Sequence, residues 1–249
     1  MIEIAQQHCN EILATGSRRG YQCCVVVAGL VGGWLIRQDS AAWAVSVRQR
    51  WSIMLVALGG ALLGCALPAF FAGGMVEAQA WSGLVGPKTV LGGLLGSFLL
   101  VALFKRVTHN HLDTSDAFAR GTVAILMIGR VGCVLQHCCY GRPSPWGLAV
   151  GAGPPRIPVQ AMEALGLCGL LLLLQHLHLR ARCRGRQLFV VFALYGALRF
   201  ALEFWREPVA ARYLGLGFYQ WLALLLCLVG LAQIVIRTLQ PNYSLKTRL

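Results

Sequence analysis

The chain has 249 residues, of which 57% are hydrophobic and only 12% charged, and its mean hydropathy is +0.64. A soluble domain carries about 25% charged residues, so this chain cannot clothe a soluble surface, and its long apolar runs exclude a disordered one. The formal charge of +13 would suggest nucleic acid in a soluble protein; here the aromatics sit in or beside apolar runs, the basic residues read as loop anchors, and no nucleic-acid partner is expected.

A bilayer core about 30 Å thick takes roughly 20 apolar residues per helix. In chain order, the runs at 21–36, 51–73, 87–104, 117–139, 157–178, 187–205 and 214–236 predict seven spans. The expected fold class is therefore all-α, a polytopic bundle whose surroundings are the lipid bilayer. A mostly polar segment, 1–20, precedes the membrane domain at 21–236, and a basic tail, 237–249, follows it. The first run lacks a small-residue cleavage pattern, so no cleavable signal is expected.

Basic residues favour the cytoplasmic side of a membrane protein. The cluster Arg180, Arg182, Arg184 and Arg186 sets most of the bias and predicts an outward N-terminus and an inward C-terminus. The 10 cysteines are scattered through apolar runs in a chain too long for a small secreted scaffold, which excludes a disulfide framework.

Several charges fall within or at the edge of predicted spans: Arg120, Arg130, Glu163, Arg199 and Glu203. A charge at the bilayer centre costs about 2.5–3.5 kcal/mol on insertion scales, so these side chains should face the bundle interior. Arg120 is the exception, close enough to the inner end to reach water along its stem. Arg199 and Glu203 are spaced i, i+4, and Tyr195 lies one turn earlier on the same face. Trp205, Arg206 and Glu207 follow at the interface, where Pro208 is expected to end the helix.

A second polar stretch runs from Gly129-Arg130 through Gln136-His137-Cys138-Cys139 to Gly141-Arg142-Pro143. Gly141 and Pro143 are expected to break the helix and let Arg142 fold back over the cavity. Guanidinium groups suit bidentate contact with phosphate. Arg130, Arg142 and Arg199 together make an anion site inside a lipid-facing bundle, and the natural ligand is a phospholipid head group.

At these residues the sequence resembles the prolipoprotein diacylglyceryl transferase family. Gly129-Arg130 through Gly141-Arg142, continued by Pro143 and Trp146-Gly147, is similar to that family's Gly-Arg … Gly-Arg block. Pro158-Val159-Gln160-Ala161-Met162-Glu163-Ala164 is similar to its Pro-Ser-Gln-Leu-Tyr-Glu-Ala. Tyr195-Gly196 through Arg199-Phe200, Glu203-Phe204 and Arg206 is similar to its Tyr-Gly-x-x-Arg-Phe-x-x-Glu-Phe-x-Arg, and Gly92-Gly93-Leu94-Leu95-Gly96 to its glycine run. The resemblance covers roughly 90–236. Two features depart from the family: Leu91 stands where it has a histidine, and the Asn-rich centre of its block reads Cys133-Val134-Leu135-Gln136-His137-Cys138.

The resemblance implies a bacterial inner-membrane enzyme with its site toward the outer face. It would move the diacylglyceryl group of phosphatidylglycerol onto the lipobox cysteine thiol of preprolipoproteins, whose signal peptides would be its partners. Arg142 and Arg199 would hold the phosphate, with Arg130 contributing and Glu203 fixing Arg199. Gln160, Glu163 and Tyr195 would position the lipid glycerol and the acceptor, and Gln136 would donate and accept as an asparagine does. With Leu91 in place of the histidine, His137 is the candidate to take the thiol proton, since imidazole titrates near neutrality. Leu91 also leaves two alternatives: a paralogue with another acceptor, and a non-catalytic phospholipid-binding membrane protein.

The acceptor brings its own thiol, so no cofactor is expected. Cys133, His137, Cys138 and Cys139 offer donors for zinc or copper(I), but adjacent cysteines on a helix point about 100° apart. No zinc-type ligand spacing is read in the cluster, and the four could converge only across a break, of which Gly141-Arg142-Pro143 is the nearest. Redox or acyl-acceptor chemistry is an alternative, but the residues are read as small apolar packing beside His137, with no metal. Gln175, His176 and His178 read as residues of the inner interface, and His109 and His111 as solvated loop residues.

Overall fold

A computed structural model describes residues 2–40, 46–72, 89–109, 113–148, 154–206 and 212–239. Seven helices account for most of it: α1 (Ile2–Ser40), α2 (Val47–Ala72), α3 (Val90–Val107), α4 (Ser115–Leu135), α5 (Val159–Leu179), α6 (Gln187–Glu203) and α7 (Phe218–Leu239). Among the described residues six helices are long and apolar enough to cross a membrane, α1 through its Arg19–Asp39 portion. The chain is an all-α polytopic membrane bundle. The exception is α6, whose 17 residues span about 25 Å at about 1.5 Å per residue, less than the roughly 30 Å of a bilayer core.

Helix α1 packs along α4, α2 along α3, and α6 along both α7 and α5, while α4 touches α5 and α6. The core gathers Leu91, Leu95, Val123, Leu167, Leu174, Phe189, Phe192, Tyr195 and Leu226. Phe98, Phe189 and Phe192 pack edge-to-face, with ring centroids 5.7–6.1 Å apart. Lipid tails give helices no hydrophobic reason to associate, so close backbone approach has to supply the contact. Gly60 and Gly64 of α2 face Gly92 and Gly96 of α3, and a Cβ on Gly60, Gly64 or Gly96 would strike the opposite backbone. The glycine run noted in the sequence is thus a packing face.

Three departures from the sequence reading concern boundaries. Helix α1 starts at Ile2 and runs through the expected polar segment. Helix α4 stops at Leu135 rather than at 139, with Gln136 as its C-cap. Short strands also appear: β1 (Pro143–Leu148), which bridges to Arg156, and a tight hairpin of β2 (Arg212–Tyr213) and β3 (Leu216–Gly217). Leu214 and Gly215 at its tip have φ of 52° and 79°, the left-handed pair that a two-residue hairpin turn needs.

The end of the bundle opposite the site is closed by ions. Arg120 is buried and pairs with Asp39, and it also donates to Gln175. The expected reach to water is not what it does; a carboxylate from α1 lies close enough to neutralise it inside the protein. Asp116 accepts from the backbone of Gly185 and Gln187, satisfying the N-terminus of α6, and Asp113 pairs with Arg237.

Candidate functional site

Glu163 is the centre of the polar cluster. It sits one turn into α5, 1% exposed, where the helix turns a carboxylate inward between α4 and α6. Tyr195 Oη donates to its Oε1 at 2.7 Å, and Arg199 Nη1 to its Oε2 at 2.9 Å. Arg130 Nε of α4 lies 3.0 Å from the same Oε2. Arg199 Nη2 then donates to Glu203 Oε2 at 3.2 Å, and Arg206 approaches that oxygen at 4.0 Å.

The spacing of α6 explains this arrangement. Tyr195, Arg199 and Glu203 recur every four residues, so one stripe of the helix presents hydroxyl, guanidinium and carboxylate to α5. The three guanidinium groups and two carboxylates sum to one positive charge, in a bundle where an unpaired charge is costly. Arg130, Glu163, Tyr195, Arg199 and Glu203, all singled out in the sequence, therefore meet in one network. Arg206 belongs with them, and only the motif resemblance pointed to it.

Two polar groups have unused capacity. The amide nitrogen and oxygen of Gln160 are buried with no hydrogen-bond partner among the described residues, and so is Arg199 Nε.

Arg142 is exposed and sits at the rim. Its backbone N–H donates to Trp205 O at 2.8 Å, and its Nε to Arg206 O at 3.0 Å. Gly141 donates to Ile157 O at 2.8 Å, and Ile157 to Arg142 O at 3.2 Å. These bonds stitch the segment after α4 to the start of α5 and the end of α6. Gly141 is needed there because a Cβ would strike Trp205 O and the Val159 side chain. The side chain of Arg142 thus lies at the end of α6 and meets the network only through the backbone carbonyl of Arg206. The described chain ends locally at Arg206, so Glu207 and Pro208 lie outside the described residues.

Gln136 and His137 follow the end of α4. His137 is exposed, and its Nδ1 lies 3.4 Å from Tyr140 Oη; neither residue bonds to the Glu163 network. Leu91 is 2% exposed, buried in the same core cluster as Tyr195. His109 is exposed, whereas His111 lies outside the described residues.

The cysteines beside His137 do not splay as a continuous helix would make them. The break comes in the turn at 136–139, ahead of Gly141, with His137 and Cys139 left-handed at φ 54° and 64°. The sulfurs of Cys133, Cys138 and Cys139 consequently converge within 4.8 Å of one another. The Cys138 thiol donates to Cys133 O at 3.6 Å, and the neighbouring thiols, Cys133 first, hold the Cys139 thiol down at about 5, while burial pushes Cys138 up. The cysteines whose placement is described are all free thiols.

Comparison with known proteins gives a consistent relationship. Residues 13–236 match the family model described as prolipoprotein diacylglyceryl transferase. A phosphatidylglycerol–prolipoprotein diacylglyceryl transferase of Oleidesulfovibrio alaskensis is 32% identical over 222 residues, 81% of each chain. The protein of that name from Bordetella avium is 34% identical over 203 residues, 75% of this chain and 74% of the other. One from Cupriavidus pinatubonensis is 35% identical over 156 residues; that match takes in 58% of this chain and 56% of the relative.

Proposed function

Because the chain belongs to the prolipoprotein diacylglyceryl transferase family, a family of transferases, we propose that it transfers the diacylglyceryl group of phosphatidylglycerol to the lipobox cysteine thiol of preprolipoproteins. The observation that carries this reading is the Glu163 network, whose buried pairs are neutral and to which the part-exposed Arg206 adds one positive charge, together with the amide of Gln160 that has no partner among the described residues. A phosphodiester head group carries one negative charge, and its glycerol offers hydroxyls to an amide.

In this mechanism the acceptor sulfur attacks the glyceryl carbon that bears the phosphate. A carbon–sulfur bond forms, the carbon–oxygen bond breaks, and glycerol phosphate leaves with the electron pair. Arg142 and Arg199 hold the phosphate and stabilise the charge growing on the leaving group. Arg142 meets it from the rim, and Arg199 offers its unpartnered Nε from within. Arg130 adds its positive charge. Glu163 and Glu203 fix Arg199 in one rotamer, and Tyr195 orients Glu163 through its hydroxyl. Gln160 and Gln136 position the glycerol and the peptide, and His137 takes the thiol proton. Proximity and charge placement supply the catalysis.

The site faces the outer leaflet of the bacterial inner membrane, where the signal peptide of the acceptor is presented. The purified protein in phosphatidylglycerol vesicles, given a lipobox peptide, tests this. The peptide should gain the mass of a diacylglyceryl group when its cysteine is present and not when it is replaced by serine. Absence of that product from correctly folded protein would overturn the reading.

A further inference from the structure

The three convergent thiols lie outside the proposed transfer chemistry and have a geometry of their own. Helix α4 ends before its cysteines do, and Cys138 N–H donates to Cys133 O at 3.1 Å, closing a loop that brings residue 138 back over residue 133. The left-handed backbone at His137 and at Cys139 then turns both adjacent cysteines toward Cys133. Contrary to the sequence reading, Cys133-x₄-Cys138 is a spacing at which cysteines ligate zinc.

The dimensions fit a cation. Sulfurs at about 2.3 Å from a tetrahedral zinc stand roughly 3.8 Å apart. Here all three lie within 4.8 Å of one another, so closing on an ion needs side-chain shifts of about an ångström. Sulfur-only donors select thiophilic ions over magnesium or calcium. The charge fits as well. Three thiolates around a divalent ion carry one net negative charge, and the Arg130 and Arg206 guanidinium groups act on Cys139 from nearby.

We propose that Cys133, Cys138 and Cys139 form a three-thiolate zinc site with a fourth coordination position open to solvent. Cys133 and Cys138 are half-buried and Cys139 is exposed, so the open position faces outward past Cys139. On ligating near neutral pH, Cys133 and Cys138 release their protons to solvent. The site is independent of the transferase reading.

The test uses full-length protein, reduced and stripped of metal in detergent, with cobalt(II) as spectroscopic probe and zinc as competitor. One cobalt per chain should bind with a thiolate-to-cobalt charge-transfer band, and zinc should displace it stoichiometrically. Cys139→Ser, at the exposed position, should weaken binding at least tenfold, and the triple serine variant should abolish the band. Cys168→Ser, on α5 and away from the cluster, should leave both unchanged. No charge-transfer band at saturating cobalt, or a band that persists in the triple variant, would overturn the proposal. These readouts need no enzymatic turnover, so a failed transfer assay leaves them unaffected.

Discussion

Glu163 is where a small substitution should have the largest effect. Its carboxylate accepts from Tyr195, Arg199 and Arg130 at 2.7, 2.9 and 3.0 Å while 1% exposed. Glu163→Gln keeps the shape, removes the charge, and turns an amide N–H₂ toward guanidinium donors. Arg130 then loses its carboxylate, and Arg199 retains only Glu203. Leaving a buried charge uncompensated costs about 3–5 kcal/mol. At roughly 2–4 °C per kcal/mol for a chain of this size, the midpoint of thermal unfolding should fall by about 6–20 °C. Thiol-reactive dye in detergent can follow the transition through the free cysteines. Glu163→Gln combined with Arg130→Met removes the stranded cation and should recover part of the loss. A single variant that melts within about 2 °C of the parent would show that Glu163 is not an ionised partner of these arginines.

Arg142→Ala should lower diacylglyceryl transfer by about 10²–10³, the range for losing one donor to a developing anion. Its melting temperature should barely change, because the side chain is exposed; a large thermal loss would make its role structural. In metal-free protein, Cys139 is a thiolate above about pH 5. Its alkylation rate should hold steady from pH 7 to 6 and fall only as the pH drops through about 5, whereas a free thiol titrates near 8.5. Mass spectrometry of the labelled peptide reads this, and a midpoint near 8.5 would contradict it. Gly64→Leu should separate α2 from α3 and lower the yield of folded protein, while Gly33→Leu, with open space at its Cβ, should not; gel filtration distinguishes them.

Much of the bundle was legible because membrane spans announce themselves by length and hydropathy. Charges within such spans must also meet partners. That reasoning brought Arg130, Glu163, Arg199 and Glu203 together before any contact was known. It failed at Arg120, whose partner Asp39 lies 81 residues away and leaves no local signal. It failed again after Leu135, because Cys138 and Cys139 continue the apolar character of α4 while the backbone has already turned. Assuming a helix there hid the convergence of the thiols. The rim around Arg142 was equally hidden, since Gly141, Ile157 and Trp205 are joined only by folding.

Depletion rescue tests the proposed function most directly. The chain is expressed in a bacterium whose own prolipoprotein diacylglyceryl transferase can be shut off, and one lipoprotein is followed by mobility and lipid label. Growth with labelled lipoprotein, lost on Arg142→Ala, is the predicted result and would show that Leu91 is compatible with activity. A chain that reaches the membrane yet leaves the lipoprotein unlabelled would contradict the assignment.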